Sequence, residues 1–240
     1  VETVQPDLVD INFGCPVKKV VSKGAGAGVL KDIDLMVKLT KAVVNSTELP
    51  VTIKTRLGWD TESINIEEVA ERLQEVGIKA LTIHARTRTQ MYKGKADWEY
   101  ISKVKNNPNI EIPIFGNGDI DSPETALEYR EKYNIDGMMI GRGAIGYPWI
   151  FNEIKHFFQT GEKLPPPTIK DRLEAVRQHA EWSAEWKGER AGLIEMRQHY
   201  SNYFRGIPHF KEYRTKFLQV LTMQEMEAVL EEIYIQLDKE

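Results

Sequence analysis

The 240 residues contain a single cysteine, no long apolar run and no excess of basic charge. One cysteine cannot close an internal disulfide and is too little for a thiolate metal cluster. Cys15 is therefore either a packing residue or a reactive thiol. Without a disulfide framework the chain fits a reducing compartment, and a cytoplasmic location is expected. No stretch approaches the roughly 20 apolar residues of a membrane span, so no membrane partner is expected. The start, Val1-Glu-Thr-Val-Gln5, lacks the basic-then-apolar layout of a signal peptide. A formal charge of −4 excludes a surface coated in nucleic-acid-binding charge but leaves room for a local basic face. The five histidines (His84, His156, His179, His199, His209) show no ligand spacing with carboxylates or thiols, so no metal is expected. No obligate protein partner is evident.

What is present is an ordinary globular composition, 41% hydrophobic and 28% charged, with material for a large core. Over the first two thirds, strand-like and helix-like segments alternate. Leu8–Phe13 reads as a strand stopped by Gly14-Cys15-Pro16, and a helix follows from Asp32 to Asn45. Further strands are expected at Val51–Arg56, Ala80–His84, Pro113–Gly116 and Gly137–Ile140. The helices between them run over Ile64–Val76, Trp98–Lys105 and Pro123–Tyr133, with Ser122 as N-cap, and Gly143–Phe158 reads as largely helical. Such alternation specifies an α/β fold with a parallel sheet and right-handed crossovers. Residues 164–168, Leu-Pro-Pro-Pro-Thr, form a stiff linker, and residues 169–240 have helical period only. Helices over Ile169–Trp186, Glu189–Arg205, His209–Leu221 and Met223–Leu237 predict a small all-α bundle.

Polar residues with chemical potential collect at the carboxyl ends of the strands. They are Asn12 and Cys15, Lys54 and Arg56, His84 and Arg86, Asn117-Gly118-Asp119, and Gly141-Arg142-Gly143. In a β/α barrel those ends share one mouth, where catalysis takes place. A lysine facing a barrel interior requires an anion or an electron-rich ring to offset its desolvation. Gly116, Gly118, Gly141 and Gly143 suit close backbone approach to a phosphate, with Arg142 as a fork of donors. Gly24 to Gly28 lacks the lysine and serine or threonine spacing of a phosphate cradle and reads as a flexible loop.

The ordered set Asp10-Ile-Asn-Phe-Gly-Cys-Pro16, Lys19, Gly24-Ala-Gly26, Ile53-Lys-Thr-Arg56, Ile83-His-Ala-Arg-Thr87, Gly116-Asn-Gly-Asp119 and Gly141-Arg142 resembles the tRNA-dihydrouridine synthases. Met196-Arg-Gln-His-Tyr200 is most similar to the bacterial B-type branch, although Gln198 stands where that motif usually has lysine. The resemblance covers nearly the whole chain. It implies that residues 1–163 are the C-terminal five β/α units of an FMN-binding TIM-type (β/α)8 barrel and that 169–240 are a tRNA-binding helical domain. It also implies reduction of specific uridines in tRNA to 5,6-dihydrouridine, with NADPH as reductant. Cys15 then matches the general acid at uracil C5. Lys54, His84, Asn117, Gly118, Asp119, Gly141 and Arg142 match cofactor contacts. Asn12, Lys19, Arg56, Arg86, Arg197, His199 and Arg205 fall on the side of the base and the tRNA. The aromatic and basic stretch Arg197–Lys216, with Tyr200, Tyr203, Phe204, Phe210 and Tyr213 interleaved, is a candidate RNA surface whose charges are better evidence than its rings.

The first three strands of the family barrel have no counterpart here. The 240 residues alone are therefore expected not to close a barrel, to fold poorly and to bind FMN weakly. Two other readings stay open. One is an FMN barrel acting on a free pyrimidine, as dihydroorotate dehydrogenases do, and the other is a tRNA-binding module without catalysis.

Overall fold

The structure is a computed structural model that describes residues 3–207 and 210–237. Its contacts divide it into two compact units, Val1–Arg142 and Gly143–Glu240. The division falls before the proline-rich linker. The first unit runs β1 (Val9–Asn12), α1 (Lys18–Val21), α2 (Ile33–Val44), β2 (Val51–Arg56), α3 (Ile66–Glu75) and β3 (Ala80–His84). It continues with α4 (Glu99–Lys105), β4 (Ile114–Asn117), α5 (Pro123–Tyr133) and β5 (Gly137–Met139). The five strands pair in parallel in the order β1-β2-β3-β4-β5, so that β1 and β5 form the two edges.

Register gives the sheet two unlike faces, because side chains alternate along each strand and paired residues share a face. On one face Val51, Ile53, Leu81, Ile83 and Ile114 are buried, forming a core with Met36, Val69, Leu73, Ile101 and Ala126 of the helices. On the other, Asn12, Lys54, Thr82, Phe115 and Gly137 lie in one row, with Arg56, His84, Asn117 and Met139 in the next. This second face is polar and less buried, most of all at the two edges.

Local chemistry explains the element ends. The Asp32 carboxylate accepts from the Leu35 amide and the Ser122 hydroxyl from the Thr125 amide, which caps α2 and α5. Trp98 is fully buried before α4, stacked among Tyr129 and Tyr133, and its Nε1 donates to the Gly118 carbonyl at 3.0 Å. Its ring lies over Gly116, where a Cβ would stand 2.0 Å from the indole. The space at Gly116 that the sequence assigned to a phosphate therefore belongs to tryptophan. The run Gly24–Gly28 is also not a flexible loop. Gly26–Lys31 forms a 3-10 helix that buries Ala27, Val29 and Leu30.

The second unit contains α6 (Ile150–Thr160), α7 (Ile169–Lys187), α8 (Glu189–Met196), α9 (Tyr200–Tyr203), α10 (Phe210–Phe217) and α11 (Met223–Leu237), and no strand among its described residues. Helix α6 starts only at Ile150. Gly146 takes φ 69° ahead of Pro148, and a Cβ there would come within 2.5 Å of Asn202. The expected helix over Glu189–Arg205 is interrupted at 197–199. The amides of Arg197, Gln198 and His199 bond three residues back rather than four, which tightens and ends α8. The expected start of α10 at His209 lies outside the described residues. Thr168 and Asp171 form a reciprocal capping box at the start of α7. Leu173, Val176, Ala180, Leu193, Met196, Met226, Leu230 and Ile233 form the core together with Tyr200, Tyr203, Phe204, Tyr213 and Phe217. The tail's interleaved aromatics are therefore mostly core residues. No helix among the described residues is long and apolar enough to cross a membrane.

Replacing Gly116 with alanine forces a methyl into the Trp98 ring. The expected cost is about 3 kcal/mol, the upper end for overpacking, read as a lower urea midpoint with unchanged slope. An unchanged midpoint would show that the indole is not held there.

Candidate active site at the carboxyl ends of the strands

The loop after β1 carries Cys15 and is fixed from three directions. Asn12 Oδ1 accepts from the Gly14 amide at 2.9 Å, turning the chain out of the strand. Arg56 Nε donates to the Gly14 carbonyl at 2.8 Å. From the third side the Ala27 amide donates to the Cys15 carbonyl at 3.0 Å. Gly26, at φ 55°, packs so closely that a Cβ would come 2.9 Å from that of Cys15. The glycine run is thus the wall against which Cys15 is placed. Cys15 itself is free and half-buried. Lys18, Lys19 and Lys23 are all exposed on and beside α1 just beyond it.

Lys54 sits half-buried on the polar face beside Asn12 and has no hydrogen-bond or ion-pair partner among the described residues. Burial pulls its pKa below the usual lysine range and Arg56 adds to this, while Asp10 opposes it. One row on, His84 is buried, and its pKa is pushed down to about 3 by burial and then by the charges of Arg56, Lys54 and Arg86. His84 is therefore a neutral imidazole at physiological pH. Its Nε2 lies 3.5 Å from Arg86 Nη1, a donor only, which leaves the ring proton on Nδ1.

Arg56 and Arg86, expected on the substrate side, are 2% and 1% exposed and hold loops instead. Besides Gly14, Arg56 donates to the carbonyls of Thr87 (3.1 Å) and Met91 (2.9 Å). Arg86 donates to the carbonyls of Lys93 (3.3 Å) and Gly94 (2.7 Å) and grips the Asp119 carboxylate through Nη2 at 2.6 and 2.8 Å. A buried guanidinium needs every donor answered, and carbonyls that have left the strand ladder answer them here.

Asp119 is the anionic centre of this cluster. Besides Arg86 it accepts from the Ala96 amide at 2.8 Å and from Arg142 at 2.9 Å. Burial raises its pKa, but the Arg86 hydrogen bond, the Ala96 amide and the two arginine charges outweigh that and hold it below the usual carboxylate range. Its backbone takes φ 57° after Gly118 at φ 130°, a turn that aims the carboxylate inward. Asp119, expected to contact a cofactor, is thus occupied by protein groups. Arg142, by contrast, is 56% exposed and holds Asp119 by one nitrogen, with the rest of its fork open. Asn117 Nδ2 donates to the Met139 carbonyl at 2.7 Å, joining β4 to β5. A Cβ at Gly141 would meet nothing within 4 Å, so this position is open rather than tight.

Sequence reading missed two aromatics. Trp59, on the loop after β2, has the Lys31 ammonium 3.8 Å and the Arg88 guanidinium 4.7 Å from its ring centroid, linking the loops after β1, β2 and β3. Tyr92 lies with its ring 5.0 Å from Arg142 and 5.7 Å from Arg56. Both follow strand ends, and Tyr92 lies within basic sequence, which was the available signal. In the second unit, Arg205 is exposed, Arg197 is half-buried and donates to the Val220 carbonyl at 3.4 Å, and the His199 ring lies 5.1 Å from that of His179.

A half-buried thiol, an unpaired lysine and a neutral histidine at the ends of consecutive parallel strands coincide with the match of residues 1–238 to the family model described as "Dihydrouridine synthase (Dus)". The chain belongs to the dihydrouridine synthase family. It is 43% identical over 224 residues to the "Probable tRNA-dihydrouridine synthase 1" of Synechocystis, covering 93% of this chain and 62% of that protein. It is 40% identical to the "tRNA-dihydrouridine synthase B" of Pseudomonas aeruginosa (88% of this chain, 63% of the relative) and to that of Vibrio vulnificus (92% and 69%). The similarity to the B-type branch therefore extends over nearly the whole chain, and the chain spans about three fifths of the first two relatives' length.

Because His84 is protonated in the unfolded chain below about pH 6.5 and in the folded protein only near pH 3, acidification between those values favours unfolding. Asp119, depressed in the fold, adds a second loss only as pH falls below the free aspartate value, about 3.9. His84→Gln is expected to flatten the stability decline between pH 6.5 and 4, measured by urea unfolding at a series of pH values, while the decline below pH 4 remains. An unaltered profile would show that His84 is not the neutral group.

Proposed function

We propose that this chain is the greater part of an enzyme that reduces specific uridines in tRNA to 5,6-dihydrouridine, with FMN as cofactor and NADPH as reductant. The carrying observation is Cys15, held half-buried on a loop pinned by Arg56 and walled by Gly26, in a chain of the dihydrouridine synthase family. In this reading the five strands are the later part of an eight-stranded barrel whose interior is the polar face, and the tail from Ile169 is the tRNA-binding part.

The residues present fit a flavin. Lys54 is desolvated on the polar face without an ion-pair partner, which favours an anionic or electron-rich ring beside it. Arg142 offers free guanidinium donors next to the open backbone at Gly141, as a phosphate requires, and the Asn117–Gly118 turn borders the same region. FMN, when bound and reduced by NADPH, supplies a hydride to uracil C6. His84, neutral and carrying its proton on Nδ1, contributes a hydrogen bond without adding charge.

The chain's own residues complete the addition. The Asn12 carboxamide oxygen is engaged by Gly14, which leaves its Nδ2 hydrogens to hold a base carbonyl. Hydride at C6 places an electron pair at C5, and the Cys15 thiol gives its proton there, leaving thiolate that solvent reprotonates. The two hydrogens saturate the C5–C6 bond, and no covalent link to sulfur forms. Lys19 with its neighbours Lys18 and Lys23, and Arg197, His199 and Arg205 of the tail, supply positive or polar surface to the tRNA backbone.

Cys15→Ala in the full-length protein is expected to lower dihydrouridine formation, measured by mass spectrometry of tRNA, by about 10²- to 10⁴-fold. Flavin reduction by NADPH is expected to continue. Undiminished product would remove Cys15 from the role of acid. An absence of product from the wild type, with the flavin bound and reducible, would move the substrate to a free pyrimidine.

A further inference from the structure

The loop between β3 and α4 is built at a cost that the sheet does not require. Two buried arginines hold its backbone from beneath, Arg56 at Met91 and Arg86 at Lys93 and Gly94. Gln90 Oε1 accepts from the Thr87 amide at 2.7 Å and closes its base. At the tip Met91 takes φ 53°, a left-handed conformation uncommon for a long side chain, and Gly94 takes φ 67°. The result lifts Tyr92 out of the protein. The residue is 52% exposed, with the guanidiniums of Arg142 and Arg56 and the His84 ring around it. Lys93 and Lys95 stand exposed beside it, and the first acid after them is Asp97.

We propose that this loop is a reading surface for single-stranded RNA next to the target base, with Tyr92 stacking on a neighbouring nucleobase and Lys93 and Lys95 meeting backbone phosphates. The proposal rests on the reading that the substrate is tRNA. A base taken out of its stack leaves a neighbour with an open face, and a rigidly held aromatic ring replaces the lost contact. Stacking on a ring tolerates any base, because each has a π-face. Among its described residues the tail's basic stretch offers no equivalent, since Tyr200, Tyr203, Phe204 and Tyr213 are buried and Phe210 packs against that core. Its exposed tryptophans, Trp182 and Trp186, stand on α7 beside exposed Glu181 and Glu185, whose charge opposes phosphate.

The test is equilibrium binding of an unmodified tRNA transcript to the full-length protein over a range of salt. Tyr92→Ala is expected to weaken binding about tenfold, and Tyr92→Phe to stay within about twofold of wild type. Lys93→Ala with Lys95→Ala is expected to reduce the slope of log affinity against log salt by about 1.4, as two lost single-strand phosphate contacts require. Melting midpoints separate recognition from folding. If Tyr92→Ala melts early, Tyr92→Leu, which fills the volume without a π-face, decides instead. A folded Tyr92→Ala (or Tyr92→Leu) that binds like wild type overturns the loop proposal and leaves the tRNA reading intact. Equal weakening by Tyr92→Phe overturns the stacking role in favour of the hydroxyl. A wild type that binds tRNA no better than duplex DNA of equal length overturns the substrate reading and this proposal with it.

Discussion

Two guanidiniums buried at the ends of adjacent strands organise the polar face of this chain. Arg56 and Arg86 lie at or just past the ends of β2 and β3, and the backbone carbonyls that accept from them belong to the loops after β1 and β3. Loops leaving a parallel sheet carry carbonyls with no ladder partner, and a buried arginine has more donors than any other side chain to offer them. Each arginine thus satisfies a local deficit of hydrogen bonds while fixing the path of the chain. Removing one partner from such a buried arrangement costs about 3–5 kcal/mol, because the remaining charge or carbonyls are left desolvated.

The same pair sets the electrostatics. Arg86 has a carboxylate in Asp119, whereas Arg56 has only carbonyls among the described residues. The face therefore carries Lys54, Arg56, Arg86 and Arg142 against Asp119 and the edge carboxylate Asp10. Burial keeps His84 neutral and lowers the lysine pKa, and this excess adds to both shifts, since each new positive charge has to form among existing ones. Anionic or electron-rich groups are favoured here for the same reason. A structural requirement of the loops and a chemical preference of the site have one origin.

Much of this was legible from the chain. All five strands lie where apolar runs end in Gly, Asn, His or Arg, and Ser122 caps its helix as expected. What failed to show were contacts between a side chain and a distant backbone. Nothing near Arg56 in sequence announces the carbonyls of Gly14 and Met91, and polar residues at strand ends read equally well as ligand contacts. Gly116 was ambiguous for a related reason. An absent side chain leaves room for whatever comes close, and only the fold shows that it is Trp98. In the tail, helical spacing placed Tyr200, Tyr203 and Phe204 on one face without saying whether that face met RNA or core, and burial answered it.

The arginines that hold the β3–α4 loop recognise only main-chain oxygens at Thr87, Met91, Lys93 and Gly94. A main-chain carbonyl is the same in every residue type, so the scaffold does not inspect the side chains it supports. Most side chains at the tip are thereby free to drift while the curve of the loop is inherited unchanged. Divergence of recognition within such a scaffold needs single substitutions rather than insertions. Arg56 and Arg86 are the two positions at which drift would be least tolerated.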